Sequence, residues 1–291
     1  MKINLRLVIL ALFLCCTAPA IAATVDTLQI TSGAMGKTWR AGVVLPQTYK
    51  KSKTSFPVLY LLHGYSGNFR DWLTKTPDKQ LLRKLADDYQ LIIVTPDGGF
   101  SGWYLNSSIN KENQFETFIT QELLSKVDNT YRTIRNRQGR VISGLSMGGH
   151  GALYLATRHP EIYCAAGSMS GALDLTTISW KELDQYFESI IGSRTATPDL
   201  YKQNSVVYMT DKMKENNLPL IIDCGVDDFL IESNRELHRR LVYSKVPHEY
   251  TERPGAHTWP YWGNALSYHL LFFQKILREN GSLPGLTATK K

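Results

Sequence analysis

The sequence predicts an α/β protein with one central, mostly parallel β-sheet and helices on both of its faces. Three observations carry this. Short runs at 58–62, 91–94 and 220–222 are apolar at every position, the pattern of strands buried on both sides in a parallel sheet. Segments with helical spacing fall between them. No internal repeat, low-complexity stretch or Pro/Gly/Ser linker divides the chain, so the alternation belongs to a single sheet.

The elements follow in order. Residues 1–22 have a basic start (Lys2, Arg6), an apolar run at 7–14 and Ala20-Ile21-Ala22 before a cleavage point, which is the layout of a secretory signal peptide. The run is too short to span a bilayer comfortably, so no stable membrane insertion is expected after cleavage. Leu14 before Cys15 argues against a lipoprotein signal. The mature chain is expected in a periplasm or outside the cell, with 23–280 as one domain.

Thr and Val alternate over 25–45 around Gly33 and Gly36, which predicts an antiparallel hairpin leading into the parallel strands. Phe115, Ile119, Leu123, Val127 and Tyr131 recur every four residues, and Leu266, Leu270, Phe273 and Leu277 follow 4-3-4 spacing, so both segments predict amphipathic helices. Shorter apolar runs start at Val141 and Ala165. The long irregular segment 175–218 carries a helical stripe (Trp180, Leu183, Phe187, Ile190) and is a candidate cap over the carboxyl edge of the sheet, where open α/β sheets bind ligands. The polar tail 281–291 is expected to fray.

Composition excludes several classes. Of 291 residues 43% are hydrophobic and 20% charged, too apolar for disorder and without the bias of collagen or coiled coil. The net charge of +7 falls to +5 when Lys2 and Arg6 leave with the signal. The remaining basic residues are scattered, the densest groups being Lys50-Lys51-Lys53, 132–140 and Lys290-Lys291, and read as solvated faces rather than a nucleic-acid site. Cys15 and Cys16 leave with the signal. Cys164 opens one apolar run and Cys224 closes another, which puts their sulfurs roughly 15 Å apart and predicts two free, buried thiols. No Cys/His spacing suits a metal, and nothing calls for a cofactor.

The strongest chemical signal is Gly144-Leu145-Ser146-Met147-Gly148-Gly149. The strand at 141–143 precedes it and a helix at 150–158 follows. That context suits a nucleophile on a sharp turn, with glycines relieving the crowding. Such a serine needs a base and an orienting acid, which on this topology follow it in the order acid, then histidine. His63 precedes the serine, and His150 and His159 lie on or beside its own helix. His238 falls in a charged helix and is expected exposed, His269 sits in mid-helix and suits a packing or surface role, and His248 lies early in a strand. His257, in a loop after that strand and before the last helix, is the candidate base. For the acid, Asp223 is still in its strand, and spacing does not separate Asp227 from Asp228 in the loop beyond. The amide of Met147 would be one donor to a developing oxyanion, and the glycine-rich loop 62–67 would supply the second.

The segments PVLYLLHGYSGNFRDWL, IIVTPDGGFSGWYLNS, VISGLSMGGHGALYLA, SGALD, CGVDDFL and PGAHTWPYW stand in the chain in that order. Together they resemble the putative-esterase branch of the α/β-hydrolases, which includes secreted tributyrin-type esterases, feruloyl and acetyl-xylan esterases, S-formylglutathione hydrolases and mycolyltransferases. The likeness covers roughly residues 25–280. It implies an α/β-hydrolase fold with a small cap, Ser146 as nucleophile, Asp228 as acid, His257 as base, and the amides of Tyr65 and Met147 as the oxyanion hole. It implies a serine carboxylesterase acting on a small-molecule or polysaccharide ester, with a transferase or a thioesterase as alternatives. A carbohydrate-binding protein that has lost its catalysis is the alternative of another class. Trp72, Trp103, Tyr104, Trp259 and Trp262 fall in loops that this fold gathers around its pocket and are candidate substrate-stacking walls.

Overall fold

The computed structural model describes residues 23–283. The expected signal peptide, 1–22, lies outside them, as does the end of the tail, 284–291. β1 (Thr24–Ser32) and β2 (Lys37–Leu45) are the expected antiparallel hairpin. In β3 (Val58–Leu62) every residue is buried, and alternate side chains enter two different cores. Val58, Tyr60 and Leu62 belong to one, Leu59 and Leu61 to the other. β4 (Ile92–Pro96) divides the same way, with Ile92 and Val94 on one side and Ile93 on the other. This is the physical basis of the unbroken apolar runs. A strand covered on both faces has no solvent side on which polar residues would be preferred.

Four more strands complete the sheet: β5 (Arg140–Gly144), β6 (Ala165–Met169), β7 (Leu220–Gly225) and β8 (Glu249–Arg253). The spatial order is β1-β2-β4-β3-β5-β6-β7-β8. β2 pairs antiparallel with β4 as well as with β1. All other neighbours are parallel: β3 with β4 and with β5, β5 with β6, β6 with β7, and β7 with β8.

The long final helix, Trp259–Glu279, covers one face with Ala265, Leu266, Leu270, Phe273 and Leu277. The helix Met147–Arg158 and the helical stretch from Phe115 to Thr130 cover the other. Within that stretch Phe118–Leu123 is π-helical. A strict spacing of four runs ahead of a 3.6-residue turn, and a wider i→i+5 turn brings the stripe back into line. Phe115, Ile119, Leu123, Val127 and Tyr131 are accordingly all buried.

Segment 175–218 forms the helices Lys181–Ile190, Pro198–Gln203 and Thr210–Glu215. Its Leu183, Phe187, Ile190, Tyr201, Val206 and Met213 pack into the same core as the sheet. Its helices therefore flank the sheet, while its approach, Thr177 to Trp180, lines surface cavities. The tail also differs from expectation at its start. Ser282 and Leu283 are buried, and the Ser282 hydroxyl donates to the Gln138 carbonyl at 3.0 Å, so fraying does not begin at 281. Cys164 and Cys224 are both free and buried, as expected.

Candidate active site

Ser146 sits between β5 and the helix that begins at Met147, with φ 55° and ψ −119°. A non-glycine residue at such angles costs about 1–3 kcal/mol and persists only where its surroundings fix it. Here they do. The Ser146 amide donates to Met169 O at 2.9 Å, and its carbonyl accepts from the amides of His150 at 3.0 Å and Ala172 at 3.2 Å. The turn also depends on close backbone approach. A Cβ at Gly148 would stand 2.6 Å from the carbonyl oxygens of both Leu62 and His63, so only glycine fits there.

Asp228 follows β7 and is buried, whereas Asp227 beside it is exposed, which distinguishes the two carboxylates that spacing left equivalent. His257, in the loop after β8, donates from Nδ1 to Asp228 at 2.9 and 3.0 Å. Its Nε2 lies 3.0 Å from Ser146 Oγ. A carboxylate can only accept, so Nδ1 carries the proton and Nε2 is free to accept from the serine hydroxyl. Burial alone would raise the Asp228 carboxyl. The His257 hydrogen bond and charge, the Leu230 amide at 2.9 Å and the Ser170 hydroxyl outweigh it and hold the group below its ordinary value. The arrangement can therefore pass a proton from Ser146 to His257 while a fixed negative charge stabilises the imidazolium.

The loop after β3 comes close to the serine. A Cβ at Gly64 would lie 2.7 Å from Leu145 Cδ1 and 3.3 Å from Ser146 Cβ. Among the described residues the amides of Tyr65 and Met147 donate to no protein acceptor, which leaves both for an incoming oxygen. Met147 opens its helix, where amide donors are unpaired by geometry.

A pocket of about 310 Å³ surrounds Ser146 and His257. Of the five candidate wall aromatics, Trp259 and Trp262 line it. The other three do not, and this corrects the expectation. Trp72 is 1% exposed, donates Nε1–H to Leu62 O at 3.0 Å and backs Trp259 edge-to-face. Trp103 and Tyr104 are buried in the core beneath, Trp103 against Phe187 and Tyr104 with its hydroxyl donating to His63 O at 3.0 Å. Sequence reading missed four lining residues: Asp71, Lys75, Trp180 and Phe229. Asp71 and Lys75 form an i,i+4 ion pair at 2.8 Å, a spacing that sequence could have suggested. Trp180 precedes its helix instead of joining the buried stripe.

The other histidines are elsewhere occupied. His63 bonds Gly64 O and the Gly98 amide, each at 2.8 Å. His150 donates to Asn204 O, His159 binds Glu116, and His269 packs in mid-helix against Ser143. His238, expected to be exposed, is instead half-buried, stacked on Tyr250 and 2.8 Å from His248, because its helix lies against β8. A second cavity of about 300 Å³, lined by Leu220, Pro247 and Phe272 among others, opens at the amino ends of β7 and β8, away from Ser146. No helix among the described residues is long and apolar enough to cross a membrane.

A family model described as "Putative esterase" matches residues 32–273. An esterase of Mycobacterium tuberculosis is 32% identical over 243 residues, covering 75% of this chain and 53% of the relative, so the chain spans about half the length of that protein. An acetyl esterase of Caldicellulosiruptor saccharolyticus is 28% identical over 227 residues, covering 75% of this chain and 83% of the relative. The solved structure of a ferulic acid esterase is 29% identical, with a TM-score of 0.76 over 88% of this chain and 99% of its own.

Proposed function

This chain belongs to the putative esterase family of α/β-hydrolases, and from that premise we propose that it is an exported serine carboxylesterase working through an acyl-enzyme on Ser146. The observation that carries the reading is the continuous contact from Ser146 Oγ to His257 Nε2 at 3.0 Å and from His257 Nδ1 to Asp228 at 2.9 Å. Ser146 Oγ attacks the ester carbonyl and its proton passes to His257. The amides of Tyr65 and Met147 take the charge that develops on the carbonyl oxygen. His257 returns the proton to the leaving alcohol, Asp228 holds the imidazole throughout, and water cleaves the acyl-enzyme by the same route.

The substrate is a short or aromatic acyl ester, an acetyl or feruloyl group on plant polysaccharide. Relatives named as an acetyl esterase and a ferulic acid esterase support it, as do the Trp259 and Trp262 walls. The signal-like residues 1–22 support export, and export disfavours a glutathione thioester, a compound of the cytosol. A long acyl channel in 175–218 would favour a mycolyl-type transferase, whereas Leu183, Phe187, Ile190, Tyr201, Val206 and Met213 of that segment are taken up by the core. Loss of catalysis, as in a carbohydrate-binding protein, fits poorly with a complete serine, histidine and carboxylate relay.

The test is hydrolysis of p-nitrophenyl acetate, methyl ferulate and acetylated xylan by the protein and by Ser146→Ala. The expected result is turnover that falls by roughly 10³-fold or more in the variant. Turnover that survives the substitution rejects the serine mechanism, and none on any ester rejects the esterase reading.

A further inference from the structure

Beside the pocket lies a groove of about 240 Å³, lined by Thr177, Ile178, Ser179, Glu232, Ser233 and Leu230, that shares Trp180 and Phe229 with the pocket. We propose that this groove is the subsite for the leaving alcohol and that it takes one neutral sugar ring. The proposal rests on the esterase reading and adds to it the side on which the alcohol is held.

The direction follows from the proton. His257 Nε2 must reach the leaving oxygen, so the alcohol departs on the histidine side of the carbonyl. The His257 ring is flanked by Trp262 at 4.8 Å, which is buried, and by Phe229 at 4.6 Å, which is 68% exposed. An alcohol leaving past the histidine therefore meets Phe229 and then the groove behind it. The rest of the pocket lining, which includes Trp259, Asp71 and Lys75, is left for the acyl group.

The groove selects by hydrogen-bond polarity. The Thr177 hydroxyl donates to Asp174 O at 3.1 Å, Ser179 to Asp184 and Ser233 to Leu230 O at 2.9 Å. With their protons committed, all three oxygens are left as acceptors. Glu232 can also only accept, and one of its oxygens is already held by Arg235 at 2.7 Å. A wall of acceptors suits a ligand rich in hydroxyl donors and repels phosphate or carboxylate. Arg235 pairs with Glu232 at 2.7 Å and also with Glu252 at 2.8 Å, so it offsets the charge of Glu232 only in part, and the acceptor hydroxyls rather than that charge carry the preference for a neutral alcohol. Trp180 and Phe229 supply apolar faces for the ring's C–H surface. The volume falls just below the roughly 300–1,000 Å³ of drug-sized sites, which suits a single ring.

The test compares acetylated xylotriose, p-nitrophenyl acetate and acetylcholine with the wild-type protein, Glu232→Gln and Ser233→Val. All three esters carry the same acyl group and differ only in the alcohol. The expected result is that the kcat/KM ratio of the acetylated xylotriose to p-nitrophenyl acetate falls at least tenfold in Ser233→Val, through KM, and less in Glu232→Gln. An unchanged ratio in both variants overturns the subsite. So does a wild-type preference for acetylcholine that Glu232→Gln removes, since that marks a cation site. Should Ser233→Val lose its fold by circular dichroism, Glu232→Gln alone decides the matter. If no ester is turned over by the wild-type protein, it is the esterase reading that has failed; the subsite is rejected only by the ratios of an active enzyme.

Discussion

At the scale of single residues, charge and space around the serine fail in different ways when altered. Asp228→Asn keeps the shape of the site but removes the charge and offers His257 a donor, so kcat should fall by roughly 10³–10⁴-fold with little change in KM. Gly64→Ala places a methyl 2.7 Å from Leu145 Cδ1 and 3.3 Å from Ser146 Cβ. Its expected cost is roughly 10²-fold in kcat, from displacement of the oxyanion loop. Steady-state kinetics on p-nitrophenyl acetate checks both, and equal activity in either variant contradicts the assignment. Ser146 and His257 were legible because motif and loop position limit the choice. The acid was not legible from spacing, because the turn after β7 alone decides that Asp228 goes inward and Asp227 outward. The aromatics misled for a similar reason. Membership of a loop does not say which side of it faces the core, and Trp103 and Tyr104 take φ values of 52° and 57° that turn them inward.

At the scale of elements, the last helix is tied to the strand bearing the serine by a buried contact between His269 Nδ1 and Ser143 Oγ at 2.9 Å. Burial pushes the His269 imidazole down to about 3, and burial pushes His150 down to about 4. Both are thus neutral in the fold at pH 5, while unfolded imidazoles with pKa near 6.5 bind protons. The unfolded state binds more protons as pH falls below about 6.5, so stability falls with it, down to the folded values. Between pH 7 and 5 each histidine should account for about 2 kcal/mol of lost stability. Urea unfolding at the two pH values should show a smaller loss in His269→Gln than in the wild type, and an identical loss contradicts the mechanism. Strands and helices were the most legible level, because a strand buried on both faces and an amphipathic helix write distinct periods. Segment 175–218 was less so. Its stripe of Leu183, Phe187 and Ile190 has the same period whether it packs on the core or over a pocket.

At the scale of the whole molecule, the parallel sheet explains why distant residues meet. Ser146, Asp228 and His257, separated by 111 and 29 positions at their contacts, all stand beyond the carboxyl ends of strands that run the same way. With Cys164 and Cys224 both free, no disulfide between them braces this arrangement, and a reductant should leave the melting temperature unchanged. A drop of several degrees on reduction would contradict that. The central claim is that acyl transfer passes through Ser146, and the most direct measurement is mass spectrometry of the protein quenched in acid during turnover of p-nitrophenyl acetate. The expected result is one acetyl group, on the peptide that contains Ser146, and none in Ser146→Ala. Acetyl on another residue, or hydrolysis that continues undiminished in the variant, would contradict it.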